Sequence, residues 1–91
     1  MQTIPPEQSL IEYPSRFPIK VMGMNVDGFA DAMFDIAKRF DPSLQPEAME
    51  TRPSSGNKYL GLTLTITATS REQLDEIYRT LSTHVWVKMV L

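Results

Sequence analysis

The chain contains no cysteine, which excludes disulfides, thiolate zinc sites, iron–sulfur clusters and a cysteine nucleophile. It has one histidine, His84, too few for a multi-histidine metal centre. Positive charge is not in excess. Nine Lys and Arg stand against eleven Asp and Glu, a net charge of −2, so the basic face of a nucleic-acid binder is not expected. No apolar run approaches the ~20 residues of a membrane-spanning helix. Residues 1–14 lack the basic and apolar regions of a signal peptide, so a cytoplasmic location and no membrane partner are expected. Proline is missing from the last 38 residues, all seven prolines lying at or before Pro53. No repeat or low-complexity segment occurs. What is present is ordinary folding material, 42% hydrophobic and 22% charged, and its 91 residues suffice for one domain.

Hydrophobic periodicity divides the chain into elements. Residues 1–14, punctuated by Pro5, Pro6 and Pro14, read as an extended arm before a domain at 15–91. Residues 17–23 (FPIKVMG) alternate as a strand, with Phe17, Ile19 and Val21 on one face and Lys20 and Met22 on the other. From Val26 the period becomes helical through Phe29, Ala30, Met33, Ile36, Ala37 and Phe40, with Asn25 the expected N-cap and Asp41-Pro42 the stop. A weaker strand is expected at 47–52 and a turn-rich loop at 53–57. Residues 58–69 (KYLGLTLTITAT) alternate most clearly, Leu60, Leu62, Leu64, Ile66 and Ala68 facing one way and the threonines the other. Ser70-Arg71-Glu72-Gln73 fits a capping box. It opens a helix carried by Leu74, Ile77, Tyr78 and Leu81, with an Asp75–Arg79 pair on its surface. Residues 85–91 (VWVKMVL) complete the pattern as a strand.

The order β-α-β-β-α-β predicts an α+β, ferredoxin-like fold. Its four antiparallel strands take the order 4-1-3-2, with both helices on one face of the sheet. Function must then be argued from sites, because this topology hosts many activities. The aromatic platform of an RNA-recognition module is missing: Tyr59 stands among threonines, and Lys20 and Met22 occupy the neighbouring strand. No nucleophile–base–orienter set is visible, so no catalytic residue, metal or cofactor is assigned. His84 reads as a residue at a helix C-terminus rather than a general base. Asp27, Asp31 and Asp35 read as a solvated helix face, and Met33 and Met89 as core filler. The threonine ladder at 63, 65 and 67 reads as a solvated or a partner-covered sheet face, shared with Lys20, Lys88 and Trp86.

Two features stand out. Gly23 lies where a strand meets a helix, a place where glycine admits close approach by a ligand and where unpaired N–H groups favour anions. The residues around it, Gly23, Met24, Asn25 and Val26, are the candidate ligand contacts. The last strand is an edge guarded only by Lys88, so Trp86, Lys88 and Val90 are the candidate interface, in a homodimer or against a partner protein. A small enzyme, either a transferase or a phosphate hydrolase, is the alternative to such a binding module. A nucleic-acid binder ranks third.

Leu10-Ile11-Glu12-Tyr13-Pro14 with Phe17-Pro18-Ile19-Lys20-Val21-Met22-Gly23, then Ser54-Ser55-Gly56-Asn57-Lys58-Tyr59, Thr65-Ile66-Thr67-Ala68-Thr69 with Gln73, and Val87-Lys88-Met89-Val90-Leu91 together resemble the YbeD-like family of small bacterial proteins. The resemblance implies a ferredoxin-like fold similar to ACT regulatory domains. Such domains bind small effectors, amino acids among them, usually at a dimer interface near the first loop. It therefore implies a non-enzymatic regulatory or interaction module with an effector near Gly23 and a dimeric state.

Overall fold

The computed structural model describes residues 12–91. The arm read at 1–14 lies, up to residue 11, outside the described residues. From there the order is β1 (Ser15–Met24), α1 (Phe29–Phe40), β2 (Met49–Pro53), β3 (Tyr59–Ala68), α2 (Arg71–Ser82) and β4 (Val87–Val90). All neighbours in the sheet are antiparallel, in the order β2-β3-β1-β4, which is the predicted 4-1-3-2 read from the other side.

Alternation on the two long central strands builds the core. Ile19 and Val21 of β1 and Leu62, Leu64, Ile66 and Ala68 of β3 are buried on one face. Phe29, Met33, Ile36 and Ala37 of α1 and Leu74, Ile77 and Leu81 of α2 join them in a single cluster. Both helices therefore cover the same face, and among the described residues the threonine side of β3 has no helix over it. Among the described residues no helix is long and apolar enough to cross a membrane.

The start of α1 departs from expectation. Asn25 is not the N-cap: the helix begins at Phe29 behind Gly28, which adopts a left-handed conformation at φ 88°. The Phe29 amide closes a turn on the Val26 carbonyl at 3.2 Å, so Val26 and Asp27 lie outside the helix and only Asp31 and Asp35 ride on it. Asn25 is used elsewhere, its side-chain amide donating to the Asn57 carbonyl at 2.9 Å and tying the β1–α1 connection to the β2–β3 loop. The second strand also moves. A short 3-10 turn at Pro46–Ala48 takes the place of its expected start, because Pro46 supplies a φ suited to a first helical position.

The expected cap of α2 is present. Ser70 Oγ accepts the Gln73 amide at 3.0 Å. Gln73 does not close the reciprocal half on Ser70. Its Oε1 accepts the Thr69 amide at 2.7 Å, while its Nε2 donates to the Phe40 carbonyl at 2.9 Å and the Thr67 carbonyl at 3.2 Å. Arg79 pairs with Glu76 and not with Asp75, an exposed i,i+3 contact at 2.6 Å and the only ion pair among the described residues. Ser70→Ala is expected to cost about 1 kcal/mol, the usual value of an N-cap, read as a shift in the urea midpoint with unchanged slope.

Candidate functional site

The space beside Gly23 is taken up by the chain itself. Gly23 is buried on the face of β1 that carries Ile19 and Val21. A side chain there would run into the Phe29 ring and the Trp86 carbonyl oxygen. The glycine is required by packing within the chain, with no need of a ligand to explain it. Met24 continues β1, and its amide donates to the Trp86 carbonyl at 2.9 Å. Asn25 and Val26 are exposed in the turn that follows.

The last strand is also differently disposed. β4 pairs with β1 as Val21–Val90 and Met22–Met89, then jumps to Gly23–Val87, leaving Lys88 as the extra, exposed residue of a β-bulge. One inserted residue reverses which side chains face which way. Val90 thereby turns toward the helices, as Val87 does on the other side of the bulge, while Trp86, expected on the opposite side, lies in the turn before β4 and packs half-buried against the core. Its ring lies 5.3 Å from that of His84, whose Nδ1 accepts the Trp86 amide at 3.1 Å. His84 thus shapes the turn into β4. Met89, expected in the core, is instead 47% exposed on the helix-free face.

That face carries the arrangement with chemical content. Two rows run across the sheet. In the first, Leu91 just past β4, Lys20 on β1, Thr63 on β3 and Glu50 on β2 lie side by side. In the second are Met89, Met22, Gly61 and Arg52. Met22, Met89 and Leu91 are each at least 40% exposed, so an apolar surface spans the β1–β4 side of the face. Lys20, Glu50 and Arg52 are also exposed, and none forms an ion pair within the described residues. Between them is a depression of about 360 Å³, bounded by Lys20, Met22, Arg52, Thr63 and Met89 with Gly61 at its base. Lys58 adds charge further along, its Nζ 5.6 Å from the centre of the Tyr59 ring.

The edge beside this surface has hydrogen-bonding capacity. Lys20 and Leu91 exchange both backbone bonds, at 3.0 and 2.7 Å. In an antiparallel ladder the next residue, Val90, then points its N–H and C=O away from β1. No other described strand lies beyond β4. Sequence periodicity indicated an unguarded β4 but misplaced its side chains, and Gly61, sitting inside a regular alternation, drew no attention. The described residues include no group of three His, Cys, Asp or Glu side chains arranged to hold a metal ion.

Comparison with known proteins places the chain. Residues 8–91 match the family model described as protein of unknown function (DUF493). A UPF0250 protein of Leptothrix cholodnii is 64% identical over 91 residues, the whole of both chains. A UPF0250 protein of Bordetella pertussis is 56% identical, again over the whole of both. The solution structure of HP0495 from H. pylori superimposes with a TM-score of 0.73, covering 99% of this chain and 98% of that one at 17% identity, a likeness of fold. The YbeD-like resemblance read from the sequence therefore holds, and the chain belongs to the DUF493 family.

Proposed function

We propose that this protein is a non-catalytic interaction module that receives a partner protein on its helix-free sheet face and its β4 edge. The observation that carries the reading is the placing of Met22, Met89 and Leu91 together in solvent, on the face that no helix of the described residues covers, next to outward-pointing backbone groups of Val90. Burying three such side chains is worth several kcal/mol at roughly 1.5–3 kcal/mol each when fully covered. An edge strand adds main-chain bonds in fixed register. This places recognition away from the Gly23–Val26 turn, where the space beside Gly23 is filled by Phe29 and Trp86.

A photo-activated cross-linking residue tests the reading in cells when placed at position 22 or 89, with position 31 on the exposed side of α1 as control. Discrete protein adducts are expected from 22 and 89 and none from 31. An adduct of twice the chain mass would identify the partner as a second copy. Adducts from 31 alone, or from no position, would overturn the assignment.

A further inference from the structure

Glycine in the middle of a central strand weakens it, by roughly 0.5–1 kcal/mol relative to alanine, and remains where something demands it. Gly23 has such a demand inside the chain. Gly61 has none. Its backbone is not in the left-handed region, and among the described residues a Cβ built on it meets only the Arg52 carbonyl oxygen, at an ordinary 3.4 Å. The methyl direction opens into the base of the depression. The missing side chain therefore creates a recess in the sheet surface without relieving any crowding.

The surroundings give that recess a chemistry. Lys20 and Arg52 flank it from β1 and β2, at Cα positions ~12 Å apart from strand geometry, close enough for both long side chains to lean over Thr63 and Gly61. Glu50 is the one acidic residue bordering it. The wall on the β4 side is Met22 and Met89, flexible apolar side chains that adapt to shape. Charges of both signs are mixed on the helices, where Asp31, Asp35, Glu72, Asp75 and Glu76 stand beside Lys38, Arg39, Arg71 and Arg79, all exposed. The recess itself carries Lys20 and Arg52 against Glu50, an excess of positive charge that favours an acidic ligand. Two copies stacked sheet face to sheet face would set one net-positive recess against another. An acidic partner would not.

We propose that the Gly61 recess seats an extended acidic segment of the partner protein, with a carboxylate held between Lys20 and Arg52 and an apolar side chain laid on Met22 and Met89. The proposal rests on the interaction reading above and names the partner's chemistry. Backbone approach is what a side-chain-free position at the base of a recess permits, so an extended peptide fits it better than a globular surface.

The probe is a six-residue peptide of alternating Glu and Leu, acetylated and amidated, titrated to millimolar concentration against isotope-labelled full-length protein. Amide shifts are expected at Lys20, Met22, Arg52, Gly61, Thr63 and Met89, weakening as salt is raised. The same peptide with Lys for Glu is expected to give none. Gly61→Val fills the recess and suits a strand, so it should fold with an equal or higher melting temperature and bind at least tenfold more weakly. Arg52→Glu should abolish binding of the Glu peptide and admit the Lys peptide. Shifts confined to the helices, equal response to both peptides, or full binding by a folded Gly61→Val would overturn the proposal. So would shifts of the same pattern from free glutamate alone, which would make the recess a small-anion site. Adducts at 22 and 89 without any response to the acidic peptide would leave the interaction reading standing and remove this one.

Discussion

Gly23→Ala is expected to lower stability by about 3 kcal/mol, the upper part of the range for overpacking. In a domain of this size that is a fall in melting temperature of ~12–24 °C. The new methyl would meet the Phe29 ring, with Cε1 at 2.7 Å, and the Trp86 carbonyl oxygen on its other side. Neither neighbour can move cheaply. Phe29 is fully buried at the start of α1, in the same core cluster as Ile19, Met33 and Leu62. The Trp86 carbonyl is held by the Met24 amide across the β-bulge. Circular dichroism melts measure the effect directly, and a change under about 3 °C would contradict the packing account. Adding Phe29→Leu should recover part of the loss, since a shorter side chain relieves one of the two collisions. A ligand-binding role for this turn predicts the opposite pattern, with stability preserved and binding lost.

The second large effect is at Asp41, the buried acid that follows α1. Its Oδ1 accepts the Ser43 amide at 3.1 Å and the Ser43 hydroxyl at 2.6 Å, and its Oδ2 accepts the Thr67 amide at 2.8 Å. Three donors converge on one carboxylate and fix the end of α1 to the end of β3. Asparagine has a single acceptor oxygen and would turn an N–H2 group against one of those donors. Asp41→Asn is therefore expected to cost about 2–3 kcal/mol, the value of a charged hydrogen bond lost with its donor left buried.

The pH dependence follows from the same contacts. Burial by itself would raise the Asp41 pKa, but the Ser43 and Thr67 hydrogen bonds, helped by the Arg16 charge, bring it below the ordinary 3.8. A carboxylate with a depressed folded pKa stabilises fully above its unfolded pKa, and this stabilisation is lost as pH falls through the folded one. Urea unfolding should show the wild type losing stability below about pH 4, with a smaller gap to Asp41→Asn at pH 3 than at pH 7. A gap that is constant or wider at pH 3 would refute the role assigned to the carboxylate.

Features whose cause is local were legible in the sequence. The alternation of β3, the apolar stripes of both helices and the Ser70 cap each depend on residues within a few positions of one another. What escaped had its cause far along the chain. Asn25 is a good N-cap by type, but its side chain is drawn to Asn57, and Gly28 supplies the left-handed turn that starts α1. The single extra residue at Lys88 exchanged the places of Met89 and Val90, and no pattern within VWVKMVL announces a bulge that is defined only by pairing with β1. The two strand glycines illustrate the same limit. Gly23 drew attention by its position at a strand end, yet Phe29 explains it. Gly61 was hidden inside a clean alternation, and its openness is visible only once β1 and β2 stand on either side of it.

The bonds made by Gln73 have a kinetic consequence. One side chain joins the last carbonyl of α1, the end of β3 and the residue ahead of the α2 cap. These three segments cannot fray one at a time without stranding polar groups of the others. Their amides should therefore exchange with solvent deuterium in one common opening, slowly and with a shared dependence on denaturant. At the opposite end of the sheet the short β4 should exchange independently and faster. Its outward-pointing Val90 amide would be slowed only when a partner strand is added.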